Sequence, residues 1–307
     1  MRSMLRFFLP AFVLAAACGG ADAGVGDPAG PAPAPSSASG SAGAGGNEAP
    51  GEPSSSPPPD PGGPRVTITM RGSTAPFAHA DGFAGETPRM QIVAIKSLWL
   101  YRSAADPNPV KVFDHGDAPV EVELVSGKET EIAKVAARSL PAGVFTLAKS
   151  GASYVKYAVD ARMHSGTAFG AIDGFYDNQQ VLSDGAILDG KKRKKGDFRY
   201  SFVANGATIG TLEGANAPTP VATTAGGISM DMSGPETFYV FPIQMAVDPN
   251  VGQDQHVDFE LNVHQSFRWQ DQGLPGYATG VYDTTPSSFE PVMAFGANAF
   301  QLSITPQ

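Results

Sequence analysis

His256-Val257-Asp258-Phe259-Glu260-Leu261-Asn262-Val263-His264-Gln265-Ser266-Phe267-Arg268-Trp269 alternates apolar and polar side chains over most of its length. Successive side chains of a β-strand leave opposite faces of the sheet, so Val257, Phe259, Leu261, Val263, Phe267 and Trp269 form one apolar stripe. His256, Asp258, Glu260, Asn262, His264, Ser266 and Arg268 form a polar stripe behind it. The pattern predicts one strand over 256–269, its polar face being the wet side of an antiparallel sheet.

The same period recurs on either side. Val66, Ile68 and Met70 share one parity, and in Val120-Glu121-Val122-Glu123-Leu124 acids and aliphatics take opposite faces. Val155, Tyr157, Val159, Ala161 and Met163 do the same over 154–164. Residues 92–101 and 238–247 are apolar on both parities, as central strands are. The best helix candidate, 129–138, reads as readily as a strand. Asp106-Pro107-Asn108-Pro109, Ser126-Gly127, Pro141-Ala142-Gly143, Asn205-Gly206 and Asp248-Pro249-Asn250 supply turns between the strands. Many short strands and no alternating helices predict an all-β fold, an antiparallel β-sandwich over residues 65–307. It is either a single sandwich or two packed sub-sandwiches joined near 170–196.

The rest of the 307 residues has a different composition. Arg2 and Arg6 precede the apolar run Phe7 to Ala17, which has the length of a signal-peptide core and is too short to span a bilayer. It ends in Leu14-Ala15-Ala16-Ala17-Cys18-Gly19, and Cys18 is the only cysteine. These residues resemble the lipobox of bacterial lipoproteins, with Ala15 where leucine is usual. The resemblance implies cleavage before Cys18 and lipidation of its sulfur, so that residues 1–17 are a lipoprotein signal peptide. Gly19 after the cysteine then implies the outer membrane. Of the 46 residues 19–64, 39 are Gly, Pro, Ala or Ser. Such a segment buries too little apolar surface to offset the entropy of ordering, so 18–64 is expected to be a lipidated cysteine and a disordered linker. As a coil it reaches about 40 Å, enough to lift a domain off a membrane.

Residues 65–307 carry 19 Lys and Arg against 25 Asp and Glu. An acidic domain lacks the basic footprint that nucleic-acid phosphates require. Gly185 to Lys192 comes near a phosphate-binding loop, but Lys192 stands where Ser or Thr would hold Mg²⁺, and no βαβ pattern surrounds it. No nucleotide is therefore expected.

Leu140-Pro141-Ala142-Gly143-Val144-Phe145-Thr146 follows the strand Gln91 to Tyr101 at a distance of one loop and one short apolar stretch. This arrangement is similar to β-sandwich domains of transthyretin-like architecture common in bacterial lipoproteins. The resemblance spans 91–165 and implies a fold and a location but no activity. A fainter likeness, through Trp269 and Gly276-Tyr277, is to periplasmic partner lipoproteins of copper-handling di-haem proteins, whose cysteines are absent here.

Candidate sites follow from residue chemistry. His256, Asp258, Glu260 and His264 carry metal-ligating groups on one strand face. Residues two apart on a strand are about 6.8 Å apart, so the two histidines, roughly 27 Å apart, cannot share an ion. A site would instead pair His256 with Asp258 and with a neighbouring strand such as the one ending in His164. Asp248, Asn250 and Asp254 space oxygen ligands as calcium loops do, without the glycine and the closing glutamate of an EF-hand. Calcium, zinc and copper are thus the metals to consider, although no cofactor is required. Trp269, Tyr277 and Tyr282 lie in a Gly/Pro-punctuated loop and offer either a platform for a glycan or protein partner or a cap on the core. Lys191, Lys192, Arg193, Lys194 and Lys195 form a basic run between glycines, either a solvated tip or a contact for an anionic surface. His79 and His115 are isolated and no nucleophile motif occurs, so a non-enzymatic binding domain is expected. A metal-delivery partner and a structural spacer are the other readings, with a hydrolase behind them.

Overall fold

The computed structural model describes residues 62–166, 170–217 and 227–307. Residues 1–61, Cys18 among them, lie outside the described residues, so the expectations for them rest on sequence alone. The domain is all-β and consists of strands β1 (Arg65–Ser73), β2 (Ala84–Glu86), β3 (Met90–Tyr101), β4 (Val110–Asp114), β5 (Val120–Glu123) and β6 (Thr130–Ala136). After a 3-10 turn at Ala137–Ser139 come β7 (Gly143–His164), β8 (Ala171–Val181), β9 (Ile187–Leu188), β10 (Lys191–Lys192), β11 (Phe198–Ala204) and β12 (Ala207–Gly214). The chain closes with β13 (Ser229–Asp231), β14 (Thr237–Val247), β15 (Gln255–Asn262), β16 (Phe267–Trp269), β17 (Asp283–Thr284), β18 (Val292–Ala294) and β19 (Ala299–Pro306).

The long strand β7 organises the larger sheet, which runs β12-β11-β8-β7-β14-β13 with β3 also on β7. Its first half pairs with β14 over Gly143 to Ala152, and its second half with β8 over Tyr154 to His164. On its other edge β3 pairs antiparallel with it, and β3 carries β4 and β5. A four-stranded sheet, β19-β15-β1-β6, forms the opposing layer. The stripes Val66, Ile68, Met70 and Val257, Phe259, Leu261 join Ile95, Leu98, Phe145 and Phe241 in one buried apolar cluster. Phe241 of one sheet meets Phe259 and Phe300 of the other at 5.7 and 5.1 Å. These strands read in sequence as apolar on one face or both because this core covers them. Gly72 is required for closeness: a Cβ there would stand 1.6 Å from the carbonyl oxygen of Leu124.

Three readings need revision. First, 256–269 is not one strand. It ends at Asn262, Gln265 takes a positive φ of 47°, and the chain restarts as β16 in a small sheet with β2 and β18. Second, the polar stripe is only partly wet: Asp258, Ser266 and Arg268 are buried, while His256, Glu260, Asn262 and His264 are partly exposed. β15 runs parallel to β1 with Thr69 opposite Asp258 and Arg71 opposite Glu260, which puts Arg71 against both carboxylates. Arg268 is likewise enclosed, held by Asp81 and by the Phe83 carbonyl. Third, 170–196 contains β8, hydrogen-bonded on both edges, and the β9–β10 hairpin. That hairpin turns at Asp189-Gly190, both at positive φ, within the stretch that comes near a phosphate-loop pattern.

Glu86, at the end of β2, accepts a hydrogen bond from the Asp160 N–H at 2.7 Å. Burial pushes its carboxyl up to about 7, and the nearby Asp160 carboxylate adds to the effect. The native state thus holds this proton more tightly than the unfolded chain, where the ordinary value is 4.5. The stabilisation is fully present below that value and is lost as pH rises through 7. Between pH 5 and 8 the unfolding free energy is expected to fall by up to about 3 kcal/mol more in the parent than in Glu86→Gln. Urea unfolding at the two pH values measures the difference, and equal slopes would refute it.

Candidate functional site

Besides meeting the core, the larger sheet lines a cavity with side chains of β7, β8 and β11. On β8, Tyr176, Asn178 and Gln180 share one face. The register sets Tyr157 of β7, Asn178 of β8 and Tyr200 of β11 side by side across three strands. Over this floor lie Phe267 and Tyr282, and the segment 287–295 closes a space of about 510 Å³. That volume lies within the range of small-molecule sites, which pair apolar walls with a few placed polar groups.

The walls are ring-rich. Tyr176 meets Phe289 at 5.4 Å, Tyr157 meets Phe295 at 4.3 Å, and Phe267 meets Tyr282 edge-on at 5.0 Å. Burial pushes the Tyr157 hydroxyl well above the ordinary tyrosine range, so it stays protonated and hydrogen-bonded with Tyr200. The Asn178 carboxamide donates to Tyr157, while its Oδ1, in a residue only 6% exposed, has no partner. An unmatched buried acceptor costs about 1–3 kcal/mol.

Glu290 is the charged residue of the lining and is 2% exposed. Its two oxygens accept from the Gln272 and Asp283 N–H groups at 2.8 and 2.9 Å. Burial raises its pKa, and the carboxylates of Asp271 and Asp283 add to the shift. No Lys, Arg or His is among the lining residues. The overlying segment is fastened by Asp283, fully buried, whose carboxylate meets His164 Nε2 at 2.6 Å and accepts from the Ala278 N–H at 2.8 Å. Val292 and Met293 at the rim stay exposed.

The residues singled out in sequence are dispersed. His256 Nε2 lies 2.9 Å from Thr69 Oγ1 and 3.2 Å from Glu129. Asp258 and Glu260 are taken by Arg71, at 3.0 and 2.8 Å. His264 Nδ1 accepts from the Phe77 N–H, and His164 belongs to the Asp283 pair, far along the chain from either. Asp248 closes a turn onto the Asn250 N–H, and Asp254 accepts from the Arg65 N–H at the start of β1. Among the described residues no group of three or more His, Cys, Asp or Glu is placed to hold a metal ion.

The aromatic platform also needs correction. Trp269 and Tyr282 are core residues at 1% and 5% exposure, and only Tyr277 is accessible, stacked on His164 at 4.7 Å. Of the three, Tyr282 alone reaches the cavity. In the basic run, Lys195 Nζ donates to the carbonyls of Met232 and Gly234 and Lys192 pairs with Asp117. Arg193 is half-buried, leaving Lys191 and Lys194 outermost. The run is therefore not a uniform five-charge patch.

A shallower cleft of about 660 Å³ holds Glu86, Arg89, Asp160, Arg162 and Asp173, but its charges meet in pairs, Arg89–Asp160 at 2.5 Å and Arg162–Asp173 at 2.7 Å. The cavity over β8 was missed in sequence because 171–181 has polar residues on both parities. The available signal was the run Tyr176, Asn178, Gln180 on one of them. Comparison of the chain with protein-family models, with curated proteins and with solved structures found no match in any of the three.

Proposed function

We propose that the chain is an envelope lipoprotein, tethered through Cys18, whose β-sandwich domain binds a small organic ligand in the cavity over Tyr157, Asn178 and Tyr200. The observation that carries this reading is an aromatic cavity of about 510 Å³ whose floor carries the polar side chains of Asn178 and Gln180. Its lining has no histidine, cysteine or lysine, and both oxygens of Glu290 are engaged by backbone N–H groups, which favours capture over reaction. The lipobox resemblance supports the tether, and Gly19 supports the outer membrane.

The test is thermal unfolding of the purified chain with neutral saccharides, amino acids, amines and carboxylates. A ligand that prefers the native state raises the midpoint, by about 2.7 kcal/mol of stability at a hundred times Kd. Asn178→Leu removes the unmatched acceptor together with the donor to Tyr157, so it is expected to leave the ligand-free midpoint near the parent's and, by putting a branched apolar side chain in the cavity floor, to abolish the ligand-induced rise. No rise with any class, or an undiminished rise in the variant, would reject the cavity as the site. In cell fractionation, a Cys18→Ala chain should leave the membrane fraction. Retention there would reject the tether.

A further inference from the structure

Resting on that reading, we infer that the ligand is an organic cation, an alkylated or quaternary ammonium group held against the tyrosine and phenylalanine rings of the cavity. Three properties of the lining select for it.

The first is the density of ring faces. Tyr157, Tyr176, Tyr200, Tyr282, Phe267 and Phe289 surround one space, and the negative face of each ring attracts a cation within about 6 Å of its centre. The second is the charge balance. Glu290 enters the lining with no basic residue beside it, and Asp271 and Asp283 reinforce its field. Two backbone N–H groups satisfy one lone pair on each oxygen and supply no countercharge. A cationic ligand would supply it, and an anionic one would meet repulsion in a low-dielectric space. The third is what the lining lacks, a Lys, Arg or His to receive an anion. A carboxylate or phosphate ligand finds no charged donor in the lining.

Choline and its neutral carbon isostere 3,3-dimethylbutan-1-ol separate charge from shape, and isothermal titration of the full chain with each is the experiment. Choline is expected to bind at least about tenfold tighter than the alcohol. Glu290→Gln and Phe289→Leu should each weaken choline far more than the alcohol and so erase most of that ratio. The Phe289 variant keeps the inference testable if the Glu290 variant fails to fold. Equal binding of the two probes, both lost in Asn178→Leu, would overturn the cation inference and leave the cavity reading standing. So would binding of glucose with no binding of choline. Binding of none of the three would overturn the cation inference, and the unfolding test with the other ligand classes then decides the cavity reading.

Discussion

Trp269→Ala is expected to lower the unfolding free energy by about 3–5 kcal/mol, the usual cost of emptying a fully buried aromatic site. Trp269 is 1% exposed, with ring centres of Phe267 and Tyr282 at 5.8 and 5.6 Å. Its strand is hydrogen-bonded to β2 on one side and β18 on the other, so the backbone has little freedom to collapse into the void. Its indole N–H also gives up a 3.2 Å bond to Asp271. For a domain of this size the midpoint should fall by about 10 °C. Tyr277→Ala, which removes a half-buried ring stacked on His164, should cost about 1 kcal/mol. Equal effects of the two variants in thermal and urea unfolding would mean that Trp269 lies on the surface, as a platform residue would.

Asp283→Ala should cost about 3 kcal/mol and loosen the wall of the cavity as well. The carboxylate is fully buried, and its removal strands the Ala278 N–H and the imidazole of His164. Breaking a buried pair from one side typically costs 3–5 kcal/mol, and His164, one-fifth exposed, regains some hydration, which sets the lower figure. Asp283 and Thr284 form the parallel bridge to Arg162 and Met163, the fastening from which the 287–295 segment departs. Limited proteolysis should therefore find new cleavage between 272 and 292 in the variant, and the ligand-induced rise in midpoint should shrink. Asp177→Ala, on the exposed face of β8, is the control and should stay within about 0.5 kcal/mol of the parent. An Asp283 variant as stable and as protease-resistant as this control would show that the segment is held by other contacts.

Much of the architecture is legible in local pattern. The stripes at Val66 to Met70, at Val155 to Met163 and at Val257 to Leu261 each mark a strand whose inner face meets the core. Asn205-Gly206 marks the β11–β12 hairpin, both residues at positive φ. The twofold period survives the break after Asn262, so one stripe spans two strands of different sheets. Periodicity reports which side is buried but not where the chain turns. The cavity was illegible for a related reason. Its floor is one residue from each of three strands, Tyr157, Asn178 and Tyr200, aligned by register, and Glu290 arrives from a loop 90 residues beyond the last of them.

The sequence by itself determined the all-β class and the inward identity of most strands, because alternation and turn chemistry act between near neighbours. Tertiary structure alone decided the fate of the polar stripe. Asp258 and Glu260 are candidate ligands until β1, some 190 positions away in the chain, lies parallel to β15 and brings Arg71 against them. A carboxylate's chemistry depends on the charge placed next to it, and in a sheet that neighbour is chosen by strand pairing, not by distance along the chain.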